Sequence, residues 1–188
     1  MTTEAAPQGK IFLVGPRASG KTSLGRALAG RLGMPFKDLD AVLVDRIGET
    51  IAALVQREGW PAFRKLESEI LAEVCQGGDL APAAGRGVVA ATGGGVILDP
   101  DNRALLRASG LVILLWATPE VLLKRLEHER LAHQRPALTE LSWEDEMRRT
   151  LKEREPLYRD CADAVLDSSK PLDELAREAE ALYRGRRP

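Results

Sequence analysis

The chain has 188 residues, of which 44% are hydrophobic and 29% charged; that is enough for one domain with a real core. A formal net charge of −1 excludes a whole-molecule field drawing it to nucleic acid or an anionic membrane. No apolar run approaches the ~18 residues of a membrane span, and the start, with Glu4, lacks the basic-then-apolar pattern of a secretory signal. The basic tail of Arg184, Arg186 and Arg187 reads as a solvated terminus. Cys75 and Cys161 fit no metal spacing; between a disulfide and two buried thiols in a reducing cytosol, the latter is expected.

Lys10 to Val14 (KIFLV) is a short apolar run ending at a glycine and predicts a buried strand. Lys21 to Leu32 predicts a helix with Leu24, Leu28 and Leu32 on one face, stopped by Gly33. Pro35 to Asp40 contains a second strand ending in two acids. Thr50 can cap a helix through Glu58, closed by Gly59, and Pro61 suits the first turn of another that runs to about Gln76. Gly77 to Gly87, rich in Gly, Ala and Pro, reads as a surface loop. Val88 to Ala91 predicts a third strand, followed by Thr92 and three glycines, and Pro100 to Ala108 a helix. Leu111 to Trp116 (LVILLW) is apolar without alternation, the mark of a central parallel strand covered on both faces. Thr118-Pro119-Glu120 opens a helix toward His128. Ser142 with Asp145 resembles a capping box for a helix to about Tyr158, whose last turn Pro156 should disturb. Ala164 to Leu166 predicts a fifth strand, and Pro171 starts the final helix. Strands alternating with helices predict a parallel α/β sheet with right-handed crossovers. The helices between Ala41 and Gln76 and the polar stretch from His128 to Leu141 fit that alternation less well, and are candidates for parts that move over a ligand.

The strongest chemical signal is Gly15-Pro16-Arg17-Ala18-Ser19-Gly20-Lys21-Thr22. It matches G-x-x-x-x-G-K-[ST] between a predicted strand and a predicted helix. At average composition the pattern arises about 0.01 times in a chain this long, so chance is a poor explanation. Backbone N–H groups around Ser19 to Thr22 can wrap a polyphosphate, and the helix N-terminus adds partial positive charge. Gly20 permits close backbone approach. Lys21 places a point charge near the β and γ phosphates, and Thr22 offers a hydroxyl to Mg²⁺. Ala18 stands where glycine is common, which implies strain in the loop.

Asp38 and Asp40 flank Leu39; on a strand they would point to the same side. Alone they read as a solvated strand end. Placed at the carboxyl edge of an α/β sheet, beside a phosphate loop, they suit a metal and an attacking hydroxyl. Gly93, Gly94 and Gly95 follow the third strand at that edge, either as a flexible turn or to admit close approach by something small and polar. Arg64, Arg135 and Arg154 taken singly read as surface charges. Together they suit carboxylate and phosphate groups.

These pieces in order (GPRASGKTS, FKDLD, EGWPAFRKLE, ATGGGVIL, RPAL and REPLYRDCAD) resemble the shikimate kinase family from Ile11 to about Pro171, closest to its second bacterial isoform type. The resemblance implies a P-loop NTPase fold of the nucleoside-monophosphate-kinase kind, with a five-stranded parallel sheet in order 2-3-1-4-5 flanked by helices. It implies one kinase domain: a core of 10–38, 77–127 and 142–184, a substrate-binding insertion of about 39–76 and a lid of about 128–141. It also implies ATP- and Mg²⁺-dependent phosphorylation of the 3-hydroxyl of shikimate, in aromatic amino-acid biosynthesis, by a cytoplasmic monomer without nucleic-acid or membrane partners.

Carried over by position, Ala18 to Ser23 bind ATP, and Thr22 and Asp38 serve Mg²⁺. Lys21, Asp40 and Arg135 are catalytic, with Asp40 the candidate general base and Arg135 a lid arginine on the transferring phosphate. Arg64 and Arg154 clamp the shikimate carboxylate, Gly93 to Gly95 meet its hydroxyls, and Trp60 and Phe63 wall its ring. Ser168 to Pro171 lie near adenine. Three features depart from the family pattern, one being the loop from Gly77 to Gly87, which is longer than usual and is read as surface. The lid reads Arg135-Pro136-Ala137-Leu138 where many relatives have Arg-Pro-Leu-Leu. The arginine that many relatives carry seven places before the lid arginine is His128 here, which leaves Arg125 or Arg130 for the adenine side. The competing readings are another small-metabolite kinase, such as a gluconate kinase, and an inactive nucleotide-binding or GTP-switch module. The latter lacks support, since no N-K-x-D motif is present.

Overall fold

The computed structural model describes residues 9–76, 80, 87–133 and 143–186; for 128–133 and 143 it describes the backbone alone. Five strands, β1 (Lys10–Val14), β2 (Phe36–Asp38), β3 (Val88–Ala91), β4 (Leu111–Trp116) and β5 (Ala164–Asp167), form one sheet in the order β2-β3-β1-β4-β5. Every pairing is parallel. Among the described residues seven α-helices and a 3-10 turn (Val96–Leu98) accompany them: α1 (Lys21–Leu32), α2 (Leu39–Ile47), α3 (Ile51–Gln76), α4 (Pro100–Ser109), α5 (Pro119–His133), α6 (Trp143–Cys161) and α7 (Leu172–Gly185).

The unalternating strands are buried on both faces because side chains one apart point to opposite sides. Phe12, Val14, Val112 and Leu114 join the core beneath α3, α4 and α6, while Ile11, Leu13, Ile113 and Leu115 join the core beneath α1 and α7. Each large side chain withdrawn this fully from water contributes about 1.5–3 kcal/mol. Cys75 and Cys161 are both free and buried, and burial pushes the Cys161 thiol up to about 11.

The register carries the functional consequence. Asp38 pairs with Ala91, Ala91 with Leu13, Val14 with Leu114, and Trp116 with Asp167. All five carboxyl ends therefore lie along one edge. The turn after β1 sits where the chain order reverses, the usual ligand crevice of an open α/β sheet.

Four expectations need correction. Strand two stops at Asp38, and Asp40 lies in the first turn of α2. The Asp38 carboxylate accepts a bond from Ala41 N at 3.4 Å and caps that helix, so local capping overrides continued extension. The insertion consequently holds a further helix, α2, before the two that were expected. Those two form α3, which breaks at Gly59 (φ 82°, ψ 170°) just before Pro61; Thr50 Oγ1 accepts from Ala53 N at its start as predicted. Helix α6 continues past Pro156 to Cys161, its last turn held by the buried side chains of Tyr158 and Cys161. Finally, α5 runs to His133, so the first part of the polar connector is helical. The Ser142 cap and the remainder of the connector lie outside the described residues. Of the expected surface loop between 77 and 87, Leu80 is half-buried against the core beneath α3.

Candidate functional site

The turn from Gly15 to Gly20 leaves β1 and delivers the chain into α1. Gly20 is the N-cap, in the left-handed region at φ 90°, with no side chain capping the first turn. The N-terminal N–H groups of α1 thus receive no side-chain cap from that residue and present partial positive charge at the sheet edge. A Cβ at Gly20 would meet no protein atom within 4 Å, so its backbone angle, rather than crowding by the protein, requires glycine there. Ala18 also lies in the left-handed region (φ 58°), the one non-glycine residue to do so among the described residues. Lys21 folds over the turn, donating to Gly15 O at 2.9 Å and Pro16 O at 2.8 Å. Ser19 is buried and its Oγ has no hydrogen-bond partner among the described residues; Ser23 is exposed.

Thr22 Oγ1 donates to Asp38 Oδ2 at 2.6 Å, bringing the first turn of α1 against the end of β2. Two residues on, in the first turn of α2, Asp40 feels Asp38, Lys21, Arg64 and Arg17. Burial lifts its carboxyl above the ordinary aspartate value and Asp38 lifts it further, while the three cations pull it down. The two acids therefore meet through a strand end and a helix start, not as alternate residues of one strand.

Facing them, Arg64 Nη1 donates to Glu67 Oε2 at 2.5 Å, one turn along α3. Glu67 is buried, and its Oε1 has no hydrogen-bond partner among the described residues. Burial raises the Glu67 carboxyl, and Arg64 opposes that rise. The Arg64 guanidinium also lies 5.4 Å from the Trp60 ring centre and 4.9 Å from that of Phe63, with the two rings edge to face at 5.8 Å. Phe63 is buried, whereas Trp60 is 47% exposed.

The glycine turn closes this group. A Cβ at Gly93 would overlap Glu67 Oε1 and come within 2.8 Å of Asp40 Oδ1, and one at Gly95 would overlap the Arg64 guanidinium. What approaches the glycines so closely is the protein's own polar side chains. Gly94 O accepts from the Tyr158 hydroxyl and, at 3.4 Å, from Arg154 Nη1. On the other side of the P-turn, Arg125 Nη2 donates to Ser168 O at 2.8 Å and Nη1 to Ala18 O at 3.5 Å, and Pro171 begins α7 three residues on. Arg135 and its neighbours lie outside the described residues, as do the side chains of His128 and Arg130.

The structure thus gathers Lys21, Thr22, Asp38, Asp40, Arg64, Gly93 to Gly95 and Arg154 along one edge. It adds Glu67 and Tyr158, which have no role in the sequence reading, and the charge of Arg17. Glu67 had a signal: it is a carboxylate spaced with Phe63, Ile70, Leu71 and Val74 on the buried face of α3, where an acid needs a cation. Tyr158 stands four residues from Arg154 and so shares its helix face.

The shikimate kinase family model matches residues 17–182. A shikimate kinase of Nitratidesulfovibrio vulgaris is 42% identical over 173 residues, covering 92% of this chain and 94% of that protein. Shikimate kinase 2 of Dickeya chrysanthemi is 45% identical over 161 residues, covering 86% and 88%. Among solved structures, shikimate kinase from Acinetobacter baumannii in complex with shikimate superposes with a TM-score of 0.82 at 32% identity, over 96% of this chain and 95% of that one. A gluconokinase from Sinorhizobium meliloti reaches 0.56 at 24% identity over 97% and 94%, a likeness of fold alone. With a family model spanning most of its length, and relatives above 40% identity over nearly all of it, the chain belongs to the shikimate kinase family.

Proposed function

We propose that the chain transfers the γ-phosphoryl group of ATP to the 3-hydroxyl of shikimate, giving shikimate 3-phosphate and ADP. The observation that carries this reading is the convergence of Arg64, held by Glu67, with Asp40 and the glycine turn opposite the Lys21 loop. An anionic polyol needs a guanidinium for its carboxylate and an acid for its hydroxyls, placed across from a polyphosphate cradle.

Ala18 to Ser23 and the start of α1 hold the triphosphate. Lys21 exchanges its two carbonyl partners for phosphate oxygens. Arg64 and Arg154 fix the acceptor's carboxylate, and Gly93 to Gly95 border its hydroxyls. Asp40 accepts the proton of the attacking hydroxyl as the new O–P bond forms and the bridge to ADP breaks. Its raised carboxyl supports that role, because a base working near neutral pH needs a pKa lifted toward it. Arg135 contributes positive charge from the lid of about 128–141, and the insertion of about 39–76 carries the acceptor. Arg125 borders the adenine side with Ser168 and Pro171.

The donor set suits Mg²⁺. Thr22 Oγ1 and Asp38 Oδ2 are hard oxygens 2.6 Å apart, and this ion takes one or two protein oxygens and completes its shell with phosphate and water. Bound there, it supplies charge neutralisation at the β and γ phosphates. No helix among the described residues is long and apolar enough to cross a membrane; the reading is completed by a cytoplasmic, monomeric enzyme.

A coupled ADP-release assay with Mg²⁺, ATP and either shikimate, gluconate or no acceptor tests the assignment. Turnover with shikimate alone is expected. Turnover with gluconate alone overturns the acceptor, and equal turnover with no acceptor overturns the transferase.

A further inference from the structure

The Tyr158 side chain is buried at 1% exposure, although it belongs to a helix whose polar face carries Arg154. Its hydroxyl donates to Gly94 O. Gly94 is the middle of the glycine turn, and its neighbours lie at ordinary van der Waals distance. A Cβ there would lie 3.5 Å from Arg17 N, 3.6 Å from Gly15 O and 3.7 Å from the Tyr158 hydroxyl. The tyrosine thus holds a carbonyl that Arg154 also contacts, in a turn that lies against the phosphate loop. Its ring leans on Trp116 at 6.1 Å, which fixes the direction from which the hydroxyl arrives. Burial raises the phenol well above its ordinary value, with Arg154 opposing, so it stays a neutral donor throughout the working range.

Arg154 competes for the same acceptor. Its Nη1 reaches Gly94 O only at 3.4 Å, the loose end of the hydrogen-bond range. A carbonyl oxygen has two lone pairs, and the better-placed phenol occupies the first. Arg154 is left with this weak contact and with its interaction with the Tyr158 hydroxyl itself; a carboxylate can outbid both, since charge-assisted forked bonds are shorter and about twice as strong.

We propose that Tyr158 is a positioning residue for the acceptor: by satisfying Gly94 O it keeps Arg154 available for the substrate carboxylate. This inference rests on the reading of Arg154 as a carboxylate clamp. Remove the hydroxyl and Gly94 O is left half-buried without its main donor. An unsatisfied buried acceptor is costly, so Arg154 is drawn onto it and away from the ligand.

The test is Tyr158→Phe, alone and combined with Arg154→Ala, with KM and kcat measured for both substrates. Expected for the single variant is a shikimate KM raised roughly five- to tenfold, the scale of one hydrogen bond, with ATP KM and kcat changed less than twofold. In the Arg154→Ala background the same exchange should change shikimate KM less than twofold, because the residues act as one unit. With the methyl ester of shikimate, which offers Arg154 no carboxylate, parent and Tyr158→Phe should also agree within twofold. A purely structural tyrosine would move ATP and shikimate constants together, in both backgrounds and with both acceptors, and that result overturns the proposal. Replacing Tyr158 by 3-fluorotyrosine keeps the ring and strengthens the donor, so the test does not depend on the fold tolerating phenylalanine. A shikimate KM at or below the parent's is expected, and a rise overturns the proposal. A parent protein that turns over no shikimate overturns the functional reading and this inference with it. A parent that does, with an unchanged KM in Tyr158→Phe, overturns this inference alone.

Discussion

Glu67 Oε2 accepts from Arg64 Nη1 at 2.5 Å, while Glu67 Oε1, buried, has no hydrogen-bond partner among the described residues. The pair therefore does two things. It stiffens the Arg64 guanidinium against the Trp60 and Phe63 rings, and it leaves an acceptor oxygen beside Gly93 and Asp40.

Glu67→Gln keeps the volume and removes the charge that anchors Arg64. The shikimate KM should rise by about 1–3 kcal/mol equivalent, the cost of losing a charged hydrogen-bond partner in a buried setting, with ATP KM little changed. Steady-state kinetics varying each substrate in turn checks this; an unchanged shikimate KM would remove Glu67 from acceptor binding.

With Asp40 as the proposed base, its carboxyl should set the acid side of the pH profile. Burial and Asp38 raise its carboxyl, and Arg17 is one of the cations holding it down. Arg17→Ala should therefore move the acid limb of kcat/KM to higher pH, and a limb that stays put or moves down would disconnect the two. The stability consequence follows by linkage. A raised carboxyl binds its proton more tightly in the folded state than in the unfolded chain. Its contribution is full below the ordinary aspartate value and is lost as pH rises through the raised one. Asp40→Asn should therefore melt higher than the parent at neutral pH while losing kcat by on the order of 10³. A lower melting temperature with normal turnover would contradict both halves.

Arg135→Ala should lower kcat by on the order of 10³, the low end for an arginine that stabilises a phosphoryl-transfer transition state. Single-turnover measurement at saturating ATP and shikimate isolates the chemical step, and near-parental turnover would take Arg135 out of the mechanism.

Ala18→Gly should stabilise the fold by about 1 kcal/mol, because an L-residue in the left-handed region carries a steric cost that glycine escapes. The entropy lost by the added glycine offsets part of it. Urea denaturation measures the balance, and a clear loss of stability would show that the loop carries no such strain.

Strands β1, β3 and β4, helix α1 and the phosphate turn were all legible in the residues, since their signals are local: unbroken apolar runs, a leucine stripe closed by Gly33, and a spaced Gly-Lys-Thr. Asp40 was placed near its partners for the wrong local reason. A strand and a helix start both fit Phe36 to Ala41, and only the cap from Asp38 to Ala41 N decides between them. Glu67 and Tyr158 went unassigned because a buried polar residue announces itself only when its partner, distant in sequence, is known: Tyr158 and Gly94 are 64 positions apart.

By itself the sequence determined a parallel α/β kinase with a polyphosphate cradle, because hydrophobic period, turn chemistry and the spaced glycine-lysine motif all act over a few residues. Tertiary structure alone decided which polar groups meet. The glycine turn is bare because Arg64, Glu67 and Asp40 come in from a different part of the chain and occupy the space a Cβ would need. That closeness is a property of register and helix packing, and no local pattern encodes it.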